Sequence, residues 1–560
     1  MKRYASLMLP ILILALLLSA CSTPTPEVVE KVVEKTVVVT QEVEKVVEKT
    51  VVVTQEVEKV VEKTVVVTAT PEPTPEPKNG GTLIVARAAD AKGLDPHKQT
   101  AFSSFRLLEL IYEPLLGLNS ELKVVPNLAD SWEWSDDGAT LTMKLHPNVK
   151  FHNGDVMTSE DVKYSFERIL NEETGSAARS YFTDIQSIDT PDDNTVVFHL
   201  SRPNVSILAA MTNPNSAILD KSAVENEDPG KVVIGTGPFK LNKWEVDQVT
   251  LLDANKDYWR EGAPHVDGME IRIIPDESSI LAGLRSGDID WALINDPRIA
   301  IVASNPNSGL VVDRTPALAY HVLMLNSGRE PFTDVRVRQA ISCAIDRQQV
   351  VDTAALGEGK VTAPATSPFY AAPLDELFCY QKDVEKAKQL LADAGYQPGD
   401  ITFKIMAAAD EPPTAVAEAQ SIQAQLKEIG VNTEIETLEL GNYVDRWLNT
   451  DFDATIALNG GNPDPDIMFY RYWHNTGNLH KVAVYTNPKI DELLDQGRVT
   501  TDPEKRRDIY LEVQKILAQD APWVWLYVGY EYRAMQPYVK GFTPMPNGSI
   551  KYLRDVWLDK

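Results

Sequence analysis

Apolar and polar positions along residues 80–560 follow a mixed α and β pattern, with several short segments that look like β-strands. Apolar residues recur at every second position in "TLTMKLH" (140–146) and, apart from the additional Val197, in "TVVFHL" (195–200), so both segments look like strands. The segment "GTLIVARAA" (81–89) reads as a further strand. The pattern predicts short strands distributed over a long body.

Helices are predicted between these strands from their first residues. Thr158 stands three residues before Asp161 in a capping-box arrangement, and the apolar residues that follow recur on one helical face. Asn487–Pro488 and Asp502–Pro503 each place an N-cap residue before a proline at the first helical position. Gly430 ends a helix and leads into the strand "VNTEIETL". This alternation favours an α/β fold in which helices cover a sheet.

The chain begins with the pattern of a signal peptide. Lys2 and Arg3 precede the apolar run "LMLPILILALLL", which is shorter than the roughly 20 residues that span a bilayer. The following "LSAC" (18–21) resembles the bacterial lipobox, in which the cysteine becomes the acylated first residue. We therefore predict that residues 1–20 are removed. We also predict that Cys21 carries a lipid that anchors an extracytoplasmic protein to the outer, periplasmic side of the cell membrane.

Residues 21–79 read as a low-complexity tether. "VEKVVEKTVVVTQE" recurs with a period of fourteen from Val29 to Thr68, and Pro-Glu repeats follow it. Two heptads in each repeat suit a short helical stalk, whereas the β-branched "TVVVT" favours an extended spacer. In either form, the segment holds the body away from a membrane.

Length and composition limit the number of lobes in residues 80–560 and the kinds of partner that the protein can bind. Its length exceeds one ordinary core, so two or three lobes are expected. The formal net charge of the chain is −27, which argues against nucleic-acid binding. Apart from Cys21, the cysteines are Cys343 and Cys379. Outside the cytosol this pair is either a disulfide, which we predict, or two buried thiols.

Motifs of catalysis are missing from the sequence. The chain lacks H-E-x-x-H, G-x-S-x-G, a Walker loop and a Cys/His cluster at zinc spacing. "GTGPFK" (235–240) has too few glycines for a phosphate cradle and reads as a turn. The eight histidines are scattered, so neither a metal site nor a cofactor is predicted. A binding protein is favoured over an enzyme.

A longer stretch carries a resemblance to a known family. "LADSWEWSDDGATLTMKLHPNVKFHNGDVMTSEDVKYSFERIL" (128–170) is similar to the signature region of the family 5 extracellular solute-binding proteins. These are the peptide, nickel and oligosaccharide receptors of ABC importers. Further matches follow in the family's order: "GTGPFKL", "NKDYW", "VRQAISCAIDR", "VEKAKQLLADAG", "EIGVNTEIE" and "PWVWLY". The resemblance extends over about residues 80–560.

The resemblance implies a two-lobed α/β clamshell with an extra subdomain inserted in the first lobe. The implied divisions are lobe I at 80–117, 233–316 and 530–560, an inserted subdomain at 118–232, and lobe II at 317–529. The resemblance also implies a monomer that encloses a peptide or an oligosaccharide between its lobes and delivers it to a permease with ATPase subunits. A non-transport role, as a sensor, a chaperone or a hydrolase, is the alternative from another class.

The stretch "LNGGNPDPDIMF" (458–469) interrupts apolar sequence, and it reads as a turn, a metal site or a pocket edge. Peptide-binding members of the family carry Trp-x-x-Asp here, and that Asp pairs with the peptide's terminal ammonium. Aligned on Asp464–Pro465, Leu458 takes the place of the Trp and Gly461 that of the Asp. The resemblance thus implies a pocket edge without its anchoring acid. The candidate ligand-binding residues of the loop are Asn459, Gly460, Gly461, Asn462 and Asp464.

Three aromatic residues are further candidate ligand contacts. Trp473 follows the loop, and Tyr527 and Tyr530 follow "PWVW" near the return between the lobes. Aromatic faces pack on sugar rings and on apolar side chains alike, so they do not separate an oligosaccharide from a peptide. Burial in a core is the competing interpretation for each of them.

Overall fold

The computed structural model describes residues 76–409 and 411–560. The predicted signal peptide, the lipidation site Cys21 and nearly all of the tether lie outside these residues. Within the described residues, no helix is long and apolar enough to cross a membrane. Residues 77–560 pack as one unit.

Strands and helices alternate along the described chain. The strands are β1 (Thr82–Arg87), β2 (Leu116–Leu118), β3 (Val124–Pro126), β4 (Ala129–Trp134), β5 (Thr140–Leu145), β6 (Ile185–Asp192), β7 (Thr195–Leu200), β8 (Phe239–Glu245), β9 (Val249–Ala254), β10 (Gly268–Ile273), β11 (Trp291–Ile294), β12 (Val311–Leu325), β13 (Lys360–Val361), β14 (Thr402–Ala408), β15 (Asn432–Leu438), β16 (Ala454–Asn459), β17 (Trp523–Met535), β18 (Val539–Lys540) and β19 (Trp557–Leu558). The helices are α1 (Phe102–Leu108), α2 (Ser159–Leu170), α3 (Arg179–Phe182), α4 (Ile207–Ala210), α5 (Lys221–Val224), α6 (Glu277–Ser286), α7 (Pro297–Ala303), α8 (Val335–Ala344), α9 (Arg347–Ala354), α10 (Val384–Asp393), α11 (Ala415–Lys427), α12 (Leu440–Leu448), α13 (Pro465–Trp473), α14 (His480–Ala483), α15 (Pro488–Val499) and α16 (Pro503–Asp520). The strands predicted at 81–89, 140–146 and 195–200 are β1, β5 and β7, and they are confirmed.

An eleven-stranded sheet in the order β15-β14-β16-β12-β17-β11-β1-β10-β9-β8, with β13 paired to β17, connects the two predicted lobes. The two longest strands, β12 and β17, run antiparallel through its middle, and their pairing shifts register between Pro316 and Tyr320. Strands of lobe I lie on one side of this pair, and strands of lobe II lie on the other. The predicted divisions at 317 and 530 therefore fall inside the connecting strands, and the ranges themselves stay a prediction.

A separate four-stranded antiparallel sheet, in the order β4-β5-β7-β6, lies within the predicted insertion at 118–232. Helix α2 packs on this sheet and begins with the predicted capping box, in which Asp161 accepts a hydrogen bond from the Thr158 amide at 2.8 Å. Phe166 of α2 meets Phe198 of β7 edge to face, with ring centroids 5.0 Å apart. The insertion thus has a hydrophobic cluster distinct from those of the lobes.

Lobe II shows the other elements predicted from local signals. Helices α15 and α16 begin at the prolines of Asn487–Pro488 and Asp502–Pro503, and the preceding Asn and Asp side chains accept hydrogen bonds from backbone amides. Gly430 has a left-handed φ of 78° in the connection from α11 to β15. Cys343 of α8 and Cys379 are joined by a disulfide in the structure, with Cα atoms 4.7 Å apart.

Candidate functional site

A cavity of about 740 Å³ lies between the two lobes. Lobe I lines it with residues that follow β1, β10 and β11, and lobe II with residues that follow β14. Strands β12 and β17 add residues where they cross. Ligands of open α/β sheets bind outside the carboxyl ends of the strands, and small-molecule sites commonly measure about 300–1,000 Å³. Both the position and the size therefore mark this cavity as the candidate ligand site.

The lobe I wall carries arginines whose charges are matched by carboxylates of the protein. Arg87 donates to Asp90 at 2.9 Å, and burial lowers the pKa of Arg87 to about 10 although Asp90 opposes the shift. Arg106 pairs with Glu531 at 3.0 Å. A solute carboxylate would have to compete with these pairs for either guanidinium.

Tyr527 and Tyr530, two of the predicted contacts, line the cavity. Tyr527 stacks on His321 with ring centroids 4.1 Å apart. The Arg314 guanidinium lies over the ring of Tyr530, 3.5 Å from its centroid. Tyr527 is 1% exposed, whereas Tyr530 is half-buried, so Tyr530 offers the larger surface to a solute. Their contact with a ligand stays a prediction, and this placement favours it.

The loop that begins at Leu458 reaches the cavity lining only at that first residue. Asn459, Gly460, Gly461 and Asn462 do not line the cavity. The side-chain oxygens of the two asparagines instead accept hydrogen bonds from groups of the protein, each at 3.0 Å. These bonds use the side-chain oxygens, and the Asn459 Nδ2 group has no partner among the described residues, so contact of the loop amides with a solute stays a prediction.

Gly461 occupies a position that has no room for a side chain. A Cβ atom there would lie 1.9 Å from the backbone carbonyl oxygen of Leu318 and 2.5 Å from the Thr366 hydroxyl oxygen. Both distances are far inside van der Waals contact. A side chain at position 461, the place that the resemblance gives to the ammonium-binding aspartate, is thus excluded in this structure.

Asp464 and Trp473 also lie away from the cavity lining, so their contact with a ligand stays a prediction that this placement does not favour. Asp464 is the N-cap of α13 and accepts two hydrogen bonds from the Arg506 guanidinium, at 2.8 and 2.9 Å. Trp473 is 1% exposed and packs edge to face on Trp523, with ring centroids 4.5 Å apart. Both residues therefore serve the interior of lobe II.

Sequence reasoning missed a hydrogen-bonded histidine–glutamate pair at the lobe II wall. His321 lines the cavity, and Glu418 of α11 is fully buried behind it. The one sequence signal is a histidine inside the apolar segment "ALAYHVLML", and its partner stands 97 residues further along the chain. In residues 76–409 and 411–560, no group of three or more His, Cys, Asp or Glu side chains is placed to hold a metal ion.

Comparison with known proteins identifies the family to which this geometry belongs. The model of the bacterial extracellular solute-binding proteins, family 5 (middle region), matches residues 123–480. The chain belongs to family 5 of the bacterial extracellular solute-binding proteins. It is 27% identical to the glutathione-binding protein GsiB of Salmonella typhimurium, over 84% of this chain and 93% of GsiB. It is 30% identical to heme-binding protein A of Haemophilus influenzae, over 76% of this chain and 82% of that protein.

A solved structure shows the same architecture. The periplasmic binding protein DppA of Helicobacter pylori, determined with the peptide STSA, superimposes with a TM-score of 0.77 at 28% identity and covers 86% of this chain and 99% of DppA. This confirms the two-lobed periplasmic-binding-protein fold that the sequence resemblance implied. The chain is thus an extracytoplasmic substrate-binding protein of the ABC-importer type.

Proposed function

We propose that this solute-binding protein is the lipid-anchored receptor of an ABC importer and captures a peptide-like solute between its lobes. The cavity of about 740 Å³, lined by both lobes, is the observation that carries the proposal. A solute held there touches two bodies at once. Its binding energy is therefore available to change their arrangement.

Differential affinity drives closure in this proposal. The solute contacts both lobes only in the closed form, so binding shifts the population toward closure. Strands β12 and β17 are the proposed hinges, because they connect the lobes and their pairing is irregular between Pro316 and Tyr320. The closed monomer then docks on the permease, and its ATPase subunits supply the energy for transport.

Two features support a peptide-like solute. The wall combines tyrosine faces with polar groups, a mixture that suits side chains and backbone amides. Among the relatives, GsiB is named for glutathione, and H. pylori DppA was solved with a peptide. An oligosaccharide is the second candidate, because Gly461 leaves no place for the acid that binds a terminal ammonium.

Mass spectrometry of solutes released by denaturing the purified full-length protein tests the ligand class. We expect a peptide in near-stoichiometric amount, whereas a released oligosaccharide would favour the second candidate. Where the protein purifies empty, thermal-shift screening with both classes replaces the release step. Small-angle scattering should then show a smaller radius of gyration with bound solute. Saturated binding without contraction would contradict closure and favour a sensor or chaperone role.

Lipid anchoring is proposed from the lipobox-like "LSAC" that ends at Cys21. Metabolic labelling with a fatty acid should mark the wild-type protein, and Cys21→Ser should release the protein into the soluble fraction. Equal labelling of both proteins would contradict the anchor without affecting the solute-binding proposal.

A further inference from the structure

A row of three side chains crosses the lobe II wall of the cavity. His321 of β12 lies opposite Leu458 of β16 on one side and Tyr527 of β17 on the other, and all three line the cavity. The rings of His321 and Tyr527 are nearly parallel, with an interplanar angle of 7°. Sheet register and stacking together fix the place of the imidazole in the wall.

Glu418 lies behind this row and holds it through one carboxylate oxygen. Its Oε1 accepts hydrogen bonds from His321 Nδ1 at 2.8 Å, from the Tyr527 hydroxyl at 2.8 Å and from the Thr414 hydroxyl at 2.6 Å. Burial opposes ionisation of Glu418, but the charge of His321 and the three hydrogen bonds outweigh it and hold the pKa of Glu418 below its ordinary value. Glu418 is therefore a carboxylate at neutral pH.

This carboxylate decides which nitrogen of His321 carries the proton. A carboxylate only accepts hydrogen bonds, so the contact with Glu418 requires a proton on Nδ1. Nε2 is then the nitrogen left for other contacts. It lies beside Gly529, another residue of the cavity lining, and it has no hydrogen bond to any residue that the structure describes.

We propose that Nε2 of His321 contacts the bound solute and that Glu418 is its positioning residue. The inference rests on the proposed solute-binding function and deepens it. The contact with Glu418 needs a proton on Nδ1 in either charge state, so Nε2 accepts from an N–H or O–H group when the ring is neutral and donates to an oxygen when the ring is charged. A peptide amide and a sugar hydroxyl both supply this chemistry. Glu418 does not line the cavity, so it acts on the solute through His321.

The geometry is tested first without any solute. Nitrogen-15 NMR of histidine-labelled protein should show His321 with its proton on Nδ1, and a proton on Nε2 with a bare Nδ1 would overturn the proposal. Diethylpyrocarbonate, mapped by mass spectrometry, should modify His321 at Nε2. His146, whose Nδ1 faces Asp130 at 2.8 Å and whose side chain is 33% exposed, is the reactive control, and His474, whose Nε2 faces Asp495 at 3.5 Å, is the protected control. Failure of His321 to react while His146 reacts would also overturn it.

Calorimetry with three probes tests the contact itself: the tetrapeptide STSA, glutathione and cellotetraose. His321→Gln should weaken the binding of the accepted probe at least tenfold, which is about 1.4 kcal/mol. His474→Gln should change it less than twofold, because His474 also stacks on a tyrosine of lobe II but does not line the cavity. Equal affinity of His321→Gln and wild type would overturn the proposal.

A double-mutant cycle separates positioning from mere stability. Glu418→Gln should weaken binding at least threefold in the wild-type background and have no effect beside His321→Gln. The same loss in both backgrounds would overturn the positioning role. If the wild type binds none of the three probes, the proposed solute class fails, while the NMR and modification experiments still decide the orientation and accessibility of His321.

Discussion

Two buried clusters of charged side chains in lobe II are built in opposite ways. The arginine cluster consists of Asp464, Asp466, Arg498 and Arg506. Asp466 meets Arg498 at 3.0 Å, and Asp464 meets Arg506 through two hydrogen bonds. Arg506 also donates to the Ser206 hydroxyl at 2.8 Å, which ties lobe II to the inserted subdomain. Two carboxylates thus match two guanidinium groups inside one closed cluster.

The histidine cluster consists of His321, Thr414, Glu418 and Tyr527, and it is open on one side. Three donors converge on a single oxygen of Glu418, and the imidazole turns its other nitrogen toward the cavity. The charges of the arginine cluster are paired within the protein, whereas Nε2 of His321 belongs to a residue of the cavity lining and has no hydrogen bond to any described residue. The comparison supports a structural role for the first cluster and the proposed solute contact for the second.

Breaking the closed cluster should have the largest effect on stability. Arg498→Met removes the partner of Asp466, and it leaves a carboxylate that is 0% exposed without its counter-charge. Loss of one member of a buried ion pair costs about 3–5 kcal/mol. Urea unfolding followed by tryptophan fluorescence measures the loss.

The matched control is Arg336→Met, because Arg336 forms an exposed pair with Asp334 at 2.6 Å and its side chain is 44% exposed. Solvent screens an exposed pair, so the loss of stability should be much smaller than that of Arg498→Met. Similar losses in both variants would contradict the distinction between a buried closed cluster and a surface pair.

The disulfide of lobe II can be compared with the buried ion pairs of the same lobe. Cys343 and Cys379 close a loop with a sequence separation of 36 residues, and on the chain-entropy model such a bond contributes about 3–4 kcal/mol. The double variant Cys343→Ala/Cys379→Ala should lose roughly this amount in urea unfolding. Thiol titration of the denatured, unreduced wild type should find no free thiol from this pair. Two reactive thiols would end the disulfide prediction.

A substitution in the histidine cluster should lower the free energy of unfolding by a smaller amount, and this loss should depend on pH. Glu418→Gln keeps the shape but replaces a charged acceptor by a neutral one, a change of about 1–2 kcal/mol at pH 7. The pKa of Glu418 is lowered in the folded state, so its stabilisation is present above the unfolded value of about 4.3 and is lost as pH falls through the folded value. The stability gap between wild type and variant should therefore narrow in acid.

Glu428→Gln is the control for this pH dependence, because Glu428 forms a pair with Lys382 at 2.9 Å on the surface of the same lobe. Its effect should stay within about 0.5 kcal/mol at every pH. A gap between wild type and Glu418→Gln that is constant from neutral to acid pH would contradict ionisation of Glu418.

The smallest expected effect concerns the solute. Gly461 has no room for an acid, and Asp464 is committed to Arg506, so neither supplies a carboxylate for a terminal ammonium. N-acetylation of a bound peptide should change its affinity less than about tenfold, or about 1.4 kcal/mol. Calorimetry with paired free and acetylated peptides measures the difference. A loss of a hundredfold or more would show that another acid binds the ammonium.

The sequence by itself determined the local elements and the family. The capping box at Thr158, the N-caps at Asn487 and Asp502 and the alternation in "TVVFHL" act within a few residues, so the pattern is sufficient to predict them. The long signature region of residues 128–170 likewise carried the two-lobed fold. Tyr527 and Tyr530 were predicted because they follow the return between lobes, and both line the cavity.

Only the tertiary structure decided which side chains face the solute cavity. Asp464 and Trp473 stand in a conspicuous loop and helix, yet contacts with Arg506 and Trp523 direct both into the interior. His321 stands in an apolar strand that carries no motif, yet sheet register places it beside Tyr527. Glu418, 97 residues further along the chain, supplies the carboxylate that it contacts. Pairing across strands and helices depends on distances that sequence spacing does not encode, so the site was settled by packing.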